Sequence, residues 1–106
     1  MYQIVLCTCP SNEVANEIAE SLVKQSIAAC VNIISNVSSV YLWQGNIEKD
    51  VEVQLIIKSK AAIFKQLADT IIKLHPYDVP EIIALDINKG NQDYLTWLDE
   101  SIHTHD

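Results

Sequence analysis

The chain begins with an apolar run, Tyr2-Gln3-Ile4-Val5-Leu6-Cys7-Thr8, and turns polar at Pro10-Ser11-Asn12. This predicts a strand followed by a helix start, because a Ser or Asn side chain can accept from the backbone N–H groups that a first helical turn leaves free. From Glu13 to Gln25 the apolar spacing becomes four. Val14, Ile18 and Leu22 fall on one line, Ala15, Ala19 and Val23 widen it, and Glu13, Glu17, Glu20 and Lys24 lie outside it, as in an amphipathic helix. Residues 28–43 and 47–58 are rich in Val and Ile and flank Gln44-Gly45-Asn46, a short glycine-containing link that predicts a hairpin. Ser59 is placed to cap a second helix, on which Ile63, Leu67, Ile71 and Leu74 share a face. His75-Pro76 ends that helix, since proline disfavours the helical conformation in the residue before it. A fourth strand over 81–87 and a short helix over 92–102, with Tyr94, Leu95 and Leu98 toward the core, complete the pattern.

The order βαββαβ plus a C-terminal helix is the α+β, ferredoxin-like split βαβ pattern. It predicts a four-stranded antiparallel sheet with both main helices on one face. Its 106 residues suit one domain spanning 1–106. Two features exceed the generic fold. Sixteen extended residues from Ala28 to Trp43 would span ~53 Å. That hairpin must break, near Ser35-Asn36, or project as an arm that needs something to pack on. Ile4-Val5-Leu6-Cys7 and Ile82-Ile83-Ala84-Leu85 are also apolar at every position, although the helices can cover only one sheet face. The uncovered face is expected to be buried by another subunit.

Composition narrows the classes. With 49% hydrophobic and 20% charged residues the chain is too apolar to be disordered, and no uncharged apolar run approaches the ~20 residues of a membrane span. The cations are all lysine. Against fourteen acidic residues they leave a net charge of −7, which repels a phosphate backbone, so neither nucleic acid nor membrane is expected as a partner. No basic stretch precedes the first strand, so no signal peptide is read and the cytoplasm is the expected compartment. Three cysteines, an odd number, agree with reduced thiols.

Cys7 and Cys9, two apart on a strand, point to the same side and offer two soft sulfur ligands, or else two small core hydrophobes. Cys30 is read as core. His75, at a helix end, serves either as a ligand or as a structural hydrogen-bonding group. His103 and His105 are read as terminal residues suited only to adventitious metal. Glu48, Lys49, Asp50 and Glu52 read as a solvated strand rim. The aromatics Tyr41, Trp43, Tyr77, Tyr94 and Trp97 suit a subunit interface, with a ligand cleft as the alternative. No nucleophile-and-base order, zinc-protease helix, dinucleotide fingerprint or phosphate-binding loop occurs, so no enzyme is expected.

The segments Leu6-Cys7-Thr8, Ala29-Cys30-Val31-Asn32, Tyr41-Leu42-Trp43-Gln44-Gly45-Asn46-Ile47, His75-Pro76-Tyr77-Asp78-Val79-Pro80-Glu81-Ile82 and Tyr94-Leu95-Thr96-Trp97-Leu98 together resemble the CutA divalent-cation tolerance family, in one register from about Ile4 to Ile102. The resemblance implies a cytoplasmic homotrimer of ferredoxin-like protomers, similar in architecture to the trimeric nitrogen-regulatory signal proteins. It also implies a link to tolerance of copper and other divalent metals, with copper binding and no catalytic activity. Carried over by position, Cys7 and His75 match the metal ligands. Leu74 stands where some members have a further histidine, and Cys9 is an additional candidate. A second function of a different class is a signal-transduction trimer that binds a small molecule between subunits, with Trp43, Lys58, Tyr77 and Glu81 lining the cleft.

Overall fold

The computed structural model describes residues 1–102. Strand β1 (Tyr2–Cys9) leads into helix α1 (Asn12–Lys24). The long strands β2 (Cys30–Trp43) and β3 (Asn46–Lys60) follow, then a 3-10 turn (Ala61–Ile63) that runs into α2 (Phe64–Leu74), β4 (Ile82–Asp86) and α3 (Gln92–Ser101). The four strands form one antiparallel sheet in the order β2-β3-β1-β4, which is the expected ferredoxin-like topology. No described helix is long and apolar enough to cross a membrane.

Local chemistry explains the element ends. Ser11 caps α1, its Oγ accepting from the Val14 N–H at 3.2 Å, and Glu13 and Lys24 complement the helix dipole at the two ends. Ala15, Ile18, Ala19 and Leu22 are buried, whereas Val23 is 46% exposed, so the apolar stripe is narrower than the spacing predicted. Leu67 and Ile71 bury the matching face of α2. Ser59 does not cap that helix, which has no side-chain cap at all. Pairing with β1 carries β3 through to Lys60, opposite Tyr2, and this keeps Ser59 in the sheet. There its buried hydroxyl donates to the Ile27 carbonyl at 2.7 Å. Tyr94 is also displaced from its expected place: it lies exposed against Trp97, with ring centroids 5.5 Å apart, while Leu98 enters the core as expected and Ile102 joins it.

The long hairpin adopts both anticipated solutions. Register shifts by a bulge between Ile34 and Val37, where Asn36 takes a φ of 60°, and the strands then continue as an arm. The turn has two residues, Gln44 and Gly45, with φ of 50° and 82°. Positive φ at both positions matches the right-handed twist of the flanking strands and favours glycine at the second. The arm stretches the molecule to 45 Å along its longest axis, against 27 and 20 Å across, and leaves Val40, Leu42, Trp43, Ile47 and Val51 exposed.

Strand pairing sorts the side chains into two faces. Val5, Cys7, Cys9, Val53, Leu55 and Ile57 lie under the helices in the main core. Their alternates, Ile4, Leu6, Ile56, Ile83 and Leu85, line the opposite face, where Ile83 and Leu85 are about half exposed at 50% and 52%. Cys30 belongs to this second face. It sits beside Lys58, in the row that continues through Ile4 to Leu85, and is only partly buried, so its assignment to the core does not hold.

Candidate metal-ligand cluster

Period-two alternation on β1 directs Cys7 and Cys9 to the helix-covered face, and the end of α2 delivers His75 to the same place. The two thiols are fully buried and His75 is 7% exposed. One ligand atom from each residue lies within 4.8 Å of the others, and no second group of three His, Cys, Asp or Glu side chains is as closely gathered among the described residues. Pro76 sets the position of His75. The residue before a proline is extended (φ −82°, ψ 133°), which turns the chain out of the helix while the His75 N–H still donates to the Ile71 carbonyl at 2.8 Å.

The imidazole is held at both nitrogens. Nε2 lies 2.8 Å from the Thr8 carbonyl and Nδ1 accepts from the Tyr77 N–H at 3.1 Å. A carbonyl only accepts and an amide N–H only donates, so these partners define the neutral tautomer with its proton on Nε2. His75 therefore ties the segment after α2 to β1, and its structural role is present in the same geometry as its ligand candidacy. The Tyr77 ring rests against the imidazole at 4.7 Å, and its hydroxyl donates to Glu52 at 2.9 Å. Burial and that bond push the Tyr77 phenol up to about 12.

The two thiols act as a pair. The hydrogen bond to Cys9, with burial and the Cys9 and Glu81 charges added, holds Cys7 far above the ordinary thiol range. The same bond lowers Cys9, against the opposing effects of burial and Glu52. Cys9 is thus the sulfur on which a first negative charge is better tolerated, stabilised by the Cys7 S–H. Two sulfurs and one imidazole form a donor set suited to a soft ion. An ion bonded at about 2.0–2.3 Å in tetrahedral geometry keeps its ligands roughly 3.3–3.8 Å apart, so donors lying within 4.8 Å of one another would close by at most about 1 Å to hold it.

The remaining candidates are dispersed. Leu74 is partly buried against the core beside His75. His103 and His105 lie outside the described residues. Lys58 and Glu81 share the helix-free face. Lys58 donates to Asn32 on β2, and Glu81 accepts from Thr8 at 2.9 Å and from Gln54 at 3.4 Å. Tyr77 is engaged with Glu52, and Trp43 stands at the tip of the arm. One chain therefore does not gather these four into a single cleft, and the hollows along α1 contain none of them. Sequence reasoning missed the Thr8–Gln54–Glu81 chain of hydrogen bonds. Its only signal was that Thr8 and Gln54 interrupt otherwise apolar strands, and pairing them required the register.

Residues 3–101 match the family described as CutA1 divalent ion tolerance protein. This chain belongs to the CutA1 divalent ion tolerance family. It is 48% identical over 101 residues to the divalent-cation tolerance protein CutA of Thermus thermophilus, a match covering 95% of this chain and 98% of that protein. The human protein CutA is 45% identical over 91 residues, which are 86% of this chain but 51% of the human one. The solved structure of the Thermus thermophilus CutA1 superposes with a TM-score of 0.94 at 47% identity, covering 97% of this chain and all of that one. CutA1 from Oryza sativa gives 0.95 at 39% identity, with 98% and 95% covered.

Proposed function

We propose that this protein is a cytoplasmic homotrimer that serves metal tolerance by binding a copper ion through Cys7 and His75, with Cys9 as a third ligand, and that it is not an enzyme. The observation supporting this most directly is the convergence of the three donors within 4.8 Å in a buried cluster. Its thiols suit cuprous copper and its imidazole also suits the cupric ion. Binding competes with bonds already made: the thiols must lose protons, and the imidazole must give up Thr8 or Tyr77. Affinity is accordingly low and falls with falling pH. The absence of an imidazole at Leu74 adds to the weakness. The apolar helix-free face and the exposed arm support the assembly, because both need a surface to cover them.

The test is a copper titration under anaerobic, reducing conditions. Cys7→Ser should abolish binding, His75→Ala should weaken it, and Leu74→His should strengthen it, whereas a chain ending at Ile102 should bind as the parent does. Loss of binding on truncation, with Cys7→Ser unchanged, would assign the signal to His103 and His105 and contradict the proposal.

The signal-transduction reading is favoured by one observation. Lys58 and Glu81 are polar positions on the face that assembly would cover, and Trp43 can approach them only from another copy. An organic molecule found between subunits in crystals soaked with a cell extract would support it over the copper site.

A further inference from the structure

The helix-free face carries one cation whose charge is not balanced on its own chain. Lys58 sits in the Cys30–Lys58–Ile4–Leu85 row, flanked by the Asn32–Ile56–Leu6–Ile83 row, and its ammonium group bonds the neutral amide of Asn32. No carboxylate lies within ion-pair reach of it among the described residues, where Lys60–Asp99 and Lys65–Asp69 are the ion pairs formed. Glu81 is the corresponding anion. Thr8 and Gln54 hold its carboxylate through hydrogen bonds, and no lysine pairs with it among the described residues.

Both charges lie on the same face, yet one chain cannot join them. Lys58 stands opposite Ile4, whereas Glu81 is bonded at the level of Thr8 and Gln54, four positions further along β1 and about 13 Å away at the rise of a strand. They also lie toward opposite edges, Lys58 reaching out to β2 and Glu81 entering at the start of β4.

An ammonium group has three donors, and covering it with apolar surface while only a neutral amide answers it is costly. We propose that Lys58 of one copy pairs with Glu81 of the next when the helix-free faces are brought together. The occupant of this face is thus a second copy of the chain, chosen by charge complementarity between two ends of one surface. This inference rests on the homotrimer proposed above and gives it a register. Glu81 is already oriented by Thr8 and Gln54, so little of its freedom remains to be lost on pairing.

The test is a charge swap on the full-length chain, with assembly measured by analytical ultracentrifugation across a concentration series and folding by circular dichroism. Lys58→Glu and Glu81→Lys should each weaken association about 30-fold or more per interface while the chain stays folded, and the double swap should recover at least about tenfold of that loss. Lys58→Met, which keeps the apolar stem, should weaken association less than Lys58→Glu. A trimeric parent whose two defects merely add in the double variant, or whose single variants assemble normally, overturns the pair and leaves the trimer standing. A folded, monomeric parent overturns both. Weakening by Lys58→Glu alone, with Glu81→Lys neutral, also overturns the pair and assigns Lys58 to a different anion.

Discussion

The two faces of the sheet are built from the same strands and differ in what covers them. On one, Val5, Cys7, Leu55 and Ile57 are sealed beneath α1 and α2. On the other, Ile4, Leu6, Ile56, Ile83 and Leu85 are comparably apolar but have no layer above them, and Lys58 and Glu81 are set among them. Strands of an antiparallel sheet with one solvated face ordinarily alternate apolar and polar residues. The loss of alternation in β1 and β4 therefore carries information beyond the protomer: the covered face encodes the fold, and the open face encodes what the fold must meet.

The largest expected contrast comes from placing one charge on each face. Val5→Asp leaves an unpaired carboxylate in the core, at a cost of several kcal/mol against a typical total stability of about 5–15 kcal/mol, and should abolish cooperative folding by circular dichroism. Ile83→Asp puts the same charge on the open face. It should preserve the protomer's secondary structure and disperse the proposed trimer, as read by ultracentrifugation. If both variants unfold alike, the distinction between the faces fails.

Two hydroxyls sharpen the comparison on a smaller scale. Ser59→Ala removes the buried donor to the Ile27 carbonyl and should cost about 1–3 kcal/mol in denaturant unfolding, since the carbonyl is left dry and unpaired. Thr8→Val removes the donor to Glu81 on the open face, where water can substitute, and should cost less in the isolated protomer. Outside the sheet, Ser11→Ala removes the α1 cap and is expected to lose about 1 kcal/mol.

The smallest effect is a dependence on pH along the arm. Tyr77 and Tyr41 both have phenols raised from 10.0 to about 12, Tyr77 by burial and its bond to Glu52, Tyr41 by its bond to Asp50. Between those values the unfolded chain ionises first, so stability is full below about pH 10 and declines as pH rises toward about 12. Tyr41 and Tyr77 remain 43% and 40% exposed, and screening by solvent keeps the decline shallow. Tyr77→Phe should flatten it in thermal melts taken across that range, and an unchanged slope would show that the Glu52 contact contributes nothing.

Much of this was legible in the sequence because it depends on period. The apolar spacing gave α1 and α2, alternation with β-branched residues gave the strands, and the same alternation put Cys7 and Cys9 on one side of β1. The misplaced residues are those decided by tertiary pairing. Ser59 has the chemistry of a cap, but register with Tyr2 keeps it in β3. Cys30 has an apolar sequence context, but its row places it on the open face beside Lys58. The meeting of His75 with the two cysteines was implied by family resemblance alone, since 65 intervening residues separate Cys9 from His75 along the chain and no local pattern reports that approach.

The account turns on whether the open face is covered by copies of the chain, and native mass spectrometry of the parent at low micromolar concentration tests this most directly. The expected result is a single species of three times the 11.9 kDa chain mass. An interface of the obligate kind commonly buries more than about 2,000 Å², so the parent trimer should persist on dilution into this range, with no monomer of the parent accumulating. A stable, folded monomer at that concentration would contradict the account.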